Sequence, residues 1–110
     1  MTKFYFFNNA IIREKAVLEE TMRAVITVIG KDRKGIIAGV STELANSGIN
    51  ILDISQTIMQ EYFVMIMLVD MSGASDEFYN IQRRLDKRGA ELGVQVRMQR
   101  EEIFNTMHQV

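Results

Sequence analysis

A short charged loop between two glycines is the part of the sequence best equipped to bind a small molecule. A β-branched apolar run ends at Gly30, four polar residues follow, and Gly35 precedes an apolar pattern with helical spacing. This spacing of glycines matches half of a phosphate-binding loop, but Ile36 and Ile37 stand where that loop needs a lysine and a hydroxyl. We therefore expect no nucleotide hydrolysis here.

The same loop suits a zwitterion such as an amino acid. The backbone N–H groups of Gly35 and Ile36 open a helix, where a carboxylate can accept their hydrogen bonds. Asp32 and Arg33 add one charge of each sign, which would pair with an ammonium group and a second acid. The alternative is that Asp32 only shapes the turn and that Arg33 is a solvated charge; the residues alone leave both interpretations open.

A second polar position follows at the start of the next strand. Gly48 ends the predicted helix and Asn50 begins the strand, so we expect Asn50 to approach the same helix N-terminus in space. The alternative for Asn50 is local hydrogen bonding within the turn. Asp53, further along this strand, is interpreted as a charge that keeps an edge strand from pairing with other chains.

The remaining reactive side chains favour structural interpretations. His108 is the only histidine and there is no cysteine, so the sequence offers neither a metal cluster nor a triad base. The methionines of the third strand are expected in the core or a subunit interface, and the basic run at 83–88 on a solvated helix face. No set of residues supplies a nucleophile, a base and an oxyanion donor together, so we predict a protein that is not an enzyme and has no cofactor.

Hydrophobic periodicity predicts the elements that must hold the loop. Strands are predicted at 22–29, 49–59, 62–71 and 94–100, helices at 35–47 and 76–92, and a helical tail after residue 100. The order βαββαβ indicates an α+β, ferredoxin-like fold: a four-stranded antiparallel sheet with two helices on one face and the first and third strands at its centre.

The two central strands are apolar at successive positions and hence on both faces of the sheet. Helices cover one face only, and a monomer rarely leaves so large an apolar patch in water. The cover could be a second subunit, the C-terminal tail or an N-terminal arm. We favour self-association, with a dimer as the simplest form, because edge strands also need protection.

Composition excludes several classes of partner. The 110 residues suffice for one domain. A net charge of −1 provides no field for nucleic acid. No apolar run is long enough to cross a membrane. The absence of cysteine fits a reducing, cytoplasmic location.

The first 21 residues differ from the rest in composition. An aromatic burst at 4–7 precedes a helix-compatible stretch. One hypothesis is that Met22 is the natural start and that residues 1–21 are read from upstream sequence; the other is an arm that packs on a neighbouring subunit. We therefore divide the chain into an extension at 1–21, a domain at 22–100 and a tail at 101–110.

The chain resembles the ACT domain family, the small ligand-sensing regulatory module. The resemblance rests on the D-R-x-G-I turn at 32–36 with the apolar helix after it, and on the G-x-N-I sequence at 48–51. It covers residues 22 to about 100 and is strongest for single-ACT proteins similar to the halves of the glycine cleavage system transcriptional repressor.

The resemblance implies a regulatory module that binds an amino acid between the strand 1–helix 1 turn and a neighbouring subunit. By position, Gly35 would allow close approach of the ligand. The residues flanking it would be Asp32, Arg33 and Ile36, and the facing wall would be Asn50 and Ile51. One alternative is an ACT domain that binds protein partners without a ligand. Another is an RNA-binding domain of the same element order, which needs exposed aromatic residues on strands 1 and 3.

Overall fold

The computed structural model describes residues 22–107, and their side chains as far as residue 105. The predicted extension at 1–21 and His108 lie outside the described residues. The elements are β1 (Arg23–Lys31), α1 (Ile36–Asn46), β2 (Asn50–Met59), β3 (Tyr62–Asp70), α2 (Phe78–Leu92), β4 (Val94–Arg100) and α3 (Glu101–Met107). The strands form one antiparallel sheet in the order β2-β3-β1-β4. The ferredoxin-like prediction is therefore confirmed, with β1 and β3 at the centre.

The core lies between the sheet and the helices α1 and α2. Alternate residues of each central strand point into it, as a period of two requires. The residues that are fully buried there include Ala24, Ile26 and Val28 of β1, Met65, Met67 and Val69 of β3, and Val40, Leu44, Ile81 and Leu85 of the helices. The structural interpretation of the methionines is thus confirmed for Met65 and Met67, whereas Met59 is 63% exposed.

The edge strand β2 receives little cover from the helices. Ile54 and Ile58 pair with the buried residues Met67 and Phe63, so their side chains lie on the helix side of the sheet. They nevertheless remain 42% and 53% exposed, because α1 covers only part of β2, near Ile51. The result is a ten-residue edge strand with an apolar fringe that water reaches.

The opposite face of the sheet is covered at one end by α3. Val25 points away from α1 and α2, yet it is only 6% exposed. Helix α3 packs against β1 and β4 on this side, and Glu101 accepts two hydrogen bonds of 2.9 Å from Arg23. Towards the other end of this face, Ile29, Tyr62 and Ile66 stay 44–48% exposed. The tail thus supplies part of the cover that this face was expected to need.

A polar cluster joins the end of α1 to the start of α2. The Asp76 carboxylate accepts hydrogen bonds from the Asn80 side chain (3.0 Å), the Glu77 N–H (2.7 Å) and Arg84 (3.1 Å). The Arg84 guanidinium also donates to the Oγ atom of Ser47, which is 1% exposed. The bonds from Asn80, Glu77 and Arg84 lower the pKa of Asp76 from 3.8 to about 2.

The first prediction follows from this pKa. Because the folded-state pKa lies below the ordinary value, ionised Asp76 stabilises the fold above about pH 4, and this contribution is lost as the pH falls towards 2. We expect Asp76→Asn to lower the urea midpoint at neutral pH and to match the wild type near pH 2. Asn80→Ala, which removes the largest cause of the shift, should raise the Asp76 pKa measured by NMR. A difference in midpoint that does not change with pH would contradict this account.

The second prediction compares two glycines with positive φ. Gly48 has φ +75°, and a Cβ atom there would collide with the Gly73 carbonyl oxygen, whereas Gly35 has φ +91° and no atom within 4 Å of such a Cβ. We expect Gly48→Ala to cost about 2–4 kcal/mol, because backbone strain and collision add. Gly35→Ala should cost about 1 kcal/mol, because only the strain applies. If both variants lost the same free energy of unfolding in urea, the predicted collision at Gly48 would be contradicted.

Candidate functional site

The loop between β1 and α1 is held at both of its ends by backbone hydrogen bonds. The Asp32 N–H donates to the Glu61 carbonyl at 2.8 Å, which ties the loop to the β2–β3 turn. The Gly39 N–H donates to the Gly35 carbonyl at 2.8 Å, which begins α1. Gly35 occupies the N-cap position in the left-handed region of φ, where a residue with a Cβ is strained.

The first turn of α1 is open to a bound group. Gly35 has no side chain to cap the helix, and the first turn holds no acidic residue. The first N–H groups of a helix have no partner within the helix. Since a Cβ on Gly35 would meet no atom within 4 Å, a carboxylate has room to reach them. Residues 32–35 are all exposed.

Ile36 plays a different part from the one its position suggested. Its side chain is 1% exposed and belongs to the core. It can therefore offer a ligand its backbone N–H but no side-chain contact. Its buried side chain fixes the start of α1 against the sheet, which holds the adjacent N–H groups in place.

Arg33 lies against the end of α2. A Cβ built on Gly93 would lie 3.4 Å from the Arg33 Nη1 atom and 3.9 Å from its Cδ atom. Gly93 is the C-cap of α2, and a positive charge at the carboxyl end of a helix is favourable. This contact gives Arg33 a structural role at the end of α2, which differs from a purely solvated charge, although Arg33 stays exposed like Asp32 and Lys34.

Asn50 and Ile51 lie at the opposite end of the sheet from the loop. Asn50 pairs with Asp70 of β3, and Asp70 pairs with Arg23 at the start of β1. The loop, by contrast, follows Lys31 at the end of β1. Eight residues of β3 separate the two ends, or roughly 26 Å at the rise of a strand. The expected approach of Asn50 to the loop is therefore not met within one chain. The physical reason is that α1 carries the chain back along the sheet before β2 begins.

The start of β2 contains an irregularity that the sequence did not reveal. The pairing with β3 shifts between Ile51 and Asp53, and Leu52 is left 45% exposed. The adjacent apolar pair Ile51 and Leu52 interrupts the alternation of the strand and was the available signal. Just after the bulge, Asp53 Oδ1 accepts the N–H of Ile54 at 2.9 Å, which agrees with its interpretation as a charge that guards an edge.

The face of the sheet available to RNA lacks the stacking surface that this alternative requires. Phe63 is 3% exposed and points into the core. Tyr62 is exposed on the open face, but β1 carries no aromatic residue. The RNA-binding alternative is therefore without support.

Other classes of site also lack support in the part of the chain that the structure describes. Within residues 22–107, no three histidine, cysteine, aspartate or glutamate side chains are grouped so that they could hold a metal ion. No helix in the same range is long and apolar enough to span a membrane.

The comparisons with known proteins agree with this architecture. A family model described as "ACT domain" matches residues 22–99. A UPF0237 protein of Clostridium acetobutylicum is 60% identical over 89 residues, which are 81% of this chain and all of that protein. An ACT domain protein from Streptococcus pneumoniae has a solved structure that superposes with a TM-score of 0.68 at 43% identity, covering 76% of this chain and 94% of that one.

A regulatory protein is among the solved structures that resemble this chain. A protein assigned as a glycine cleavage system transcriptional repressor superposes with a TM-score of 0.61 at 26% identity, over 70% of this chain and 44% of that chain. Together with the match over residues 22–99 and the relative that is 60% identical, this likeness leads to one conclusion: the chain belongs to the ACT domain family, whose members are regulatory modules.

Proposed function

We propose that this protein is a non-catalytic regulatory module that binds an amino acid, or a similar small zwitterion, at an interface between two subunits. The observation that carries the proposal is the start of α1 at Gly35, which has no side-chain cap and where a Cβ would meet no atom within 4 Å. Such a helix start attracts a carboxylate through its N–H groups and its dipole. Asp32, exposed in the same loop, supplies the charge for an ammonium group.

The second wall of the site would come from another copy of the chain. Two β2 strands related by a two-fold axis run antiparallel, so the start of one lies beside the end of the other. Asn50 and Ile51 of one copy would then approach the β2–β3 turn of the other. That turn is bonded to Asp32 through Glu61. Asp32, Gly35 and the Ile36 N–H of one subunit and Asn50 and Ile51 of the other would thus form each of two shared sites, with Arg33 at their margin.

The exposed fringe of β2 supports pairing along this edge. Ile54 and Ile58 are about half exposed on the helix side of the strand, and a second β2 would cover them. Burial of apolar surface contributes about 25 cal/mol per Å², and an unpaired strand edge also offers backbone hydrogen bonds. A dimer formed in this way would continue the sheet from one subunit into the other.

The third prediction tests the ligand. In a thermal-shift screen over the twenty amino acids, we expect at least one to raise the melting temperature in a concentration-dependent way, because a ligand that binds only the folded state stabilises it. Gly35→Val should weaken this ligand at least about tenfold, since the new side chain fills the space in front of the N–H groups. Lys34→Ala, an exposed change in the same loop, serves as the control. A protein that responds to none of the amino acids would instead favour an ACT domain that acts through protein contacts alone.

The fourth prediction tests the interface. We expect Ile58→Lys to convert the protein from dimer to monomer at micromolar concentration, measured by light scattering after size exclusion, because a buried unpaired charge opposes association. Ile103→Lys is the matched control, since Ile103 on α3 is 48% exposed against 53% for Ile58. The proposal fails if the wild type is monomeric, or if both variants behave alike.

A further inference from the structure

The two edges of the sheet differ in how their backbone is protected. At the β4 edge, the side-chain amide of Gln82, which comes from α2, is bonded to the strand. Its Oε1 atom accepts the N–H of Met98 at 2.8 Å, and its Nε2 atom donates to the carbonyl of Val96 at 3.2 Å. Nε2 also donates to Asp86 Oδ1 at 2.7 Å, which holds the amide in this orientation.

These backbone groups are the ones that an added strand would use. In an antiparallel sheet, successive residues direct their N–H and carbonyl groups to opposite sides. Val96 and Met98 are two residues apart, so the backbone N–H and carbonyl groups of both are directed away from β1. The backbone groups of Arg97, between them, are directed towards its partner Thr27 on β1. One side-chain amide thus supplies the donor and the acceptor that an incoming strand would supply.

The β2 edge has a weaker guard. Asp53 Oδ1 accepts the N–H of Ile54, and a carboxylate offers no hydrogen for the carbonyl groups of the strand. The Ile54 N–H is directed away from β3. Because backbone directions alternate along a strand, the N–H and carbonyl groups of Gln56 and Ile58 are also directed away from β3. This edge combines open backbone groups with the exposed side chains of Leu52, Ile54 and Ile58.

Space alone does not exclude a strand from β4. A cavity of about 350 Å³ lies beside the Gln82 amide, so the approach to this edge is open. It is lined by Gln82, Asp86, Gln95, Val96, Arg97, Met98 and Gln99. What opposes the addition of a strand at β4 is therefore the loss of the Gln82 hydrogen bonds, which the incoming strand would have to replace.

We propose that Gln82 closes the β4 edge and thereby restricts self-association to β2. Pairing of β2 with β2 is two-fold and leaves no free β2 edge, so it stops at a dimer. Pairing of β2 with β4 is head-to-tail and leaves one free edge of each kind, so it would continue into an open-ended sheet. Gln82 determines the specificity of assembly; this role rests on the proposed pairing through β2 but not on whether the β1–α1 loop binds a ligand.

The wild type provides the first test, through amide hydrogen exchange measured by NMR. We expect the Met98 N–H, bonded to Gln82, to exchange about five to ten times more slowly than the Val96 N–H, which points the same way and for which residues 22–105 provide no side-chain acceptor. Slow exchange at both amides would mean that a partner strand covers β4 and would overturn the proposal. Fast exchange at both would mean that the Gln82 bond does not form and would also overturn it.

The second test removes the Gln82 side-chain amide. Gln82→Leu keeps the size of the side chain but loses both hydrogen bonds to β4 as well as the one to Asp86. We expect species larger than the wild type, whose mass grows with protein concentration in light scattering. Gln95→Leu is the matched control: it places the same apolar side chain on β4 at a position whose backbone faces β1. The proposal is overturned if Gln82→Leu keeps the wild-type mass, or if Gln95→Leu enlarges it equally. If the leucine variant does not fold, Gln82→Ala removes the same amide without adding a charge, and the same growth with concentration is expected; a wild-type mass for this variant would overturn the proposal.

Discussion

Two helices on one face of a four-stranded sheet leave most of the edge strand β2 without cover, and the main features of this protein follow from that constraint. Helices α1 and α2 bury the inner residues of β1, β3 and β4. On β2, by contrast, Ile54 and Ile58 remain about half exposed although they point to the same side. In the proposed dimer their exposure would supply the apolar surface for the second copy, and the unpaired edge would supply the hydrogen bonds. The Gln82 amide at β4 gives the sheet one closed edge and one open edge.

The crossover from β1 to β2 through α1 explains why the proposed ligand site would need two subunits. The chain leaves β1 through the Gly35 turn, and α1 returns it to the other end of the sheet before Asn50 begins β2. The two polar positions that lie close in sequence are thereby separated by the length of the sheet. An antiparallel pair of β2 strands would bring Asn50 of one copy close to the loop of the other, because it sets the start of one strand beside the end of the other.

The sequence predicted the fold well because each element is marked by local signals. Gly35, Gly48 and Gly93 all adopt positive φ and stand where helices begin or end, and the apolar alternation of β1 and β3 identifies the core. The details of the site were less accessible. That Ile36 is core and that Arg33 lies against the end of α2 depend on contacts with distant residues. The opposite placement of Asn50 depends on the direction of α1, and the Gln82 bonds to β4 depend on packing between a helix and a strand.

The claim that one ligand site is built from two chains can be tested by mixing two inactive variants. Gly35→Val removes the loop side of each site and Asn50→Leu removes the facing side, so each homodimer should fail to bind the amino acid identified for the wild type. In a mixed dimer, one site carries both changes and the other carries neither. Unfolding and refolding an equal mixture should restore about a quarter of the wild-type sites in calorimetry, since half of the dimers are mixed and each holds one intact site. No restored binding, with mixed dimers demonstrated by mass spectrometry, would contradict a site shared between subunits.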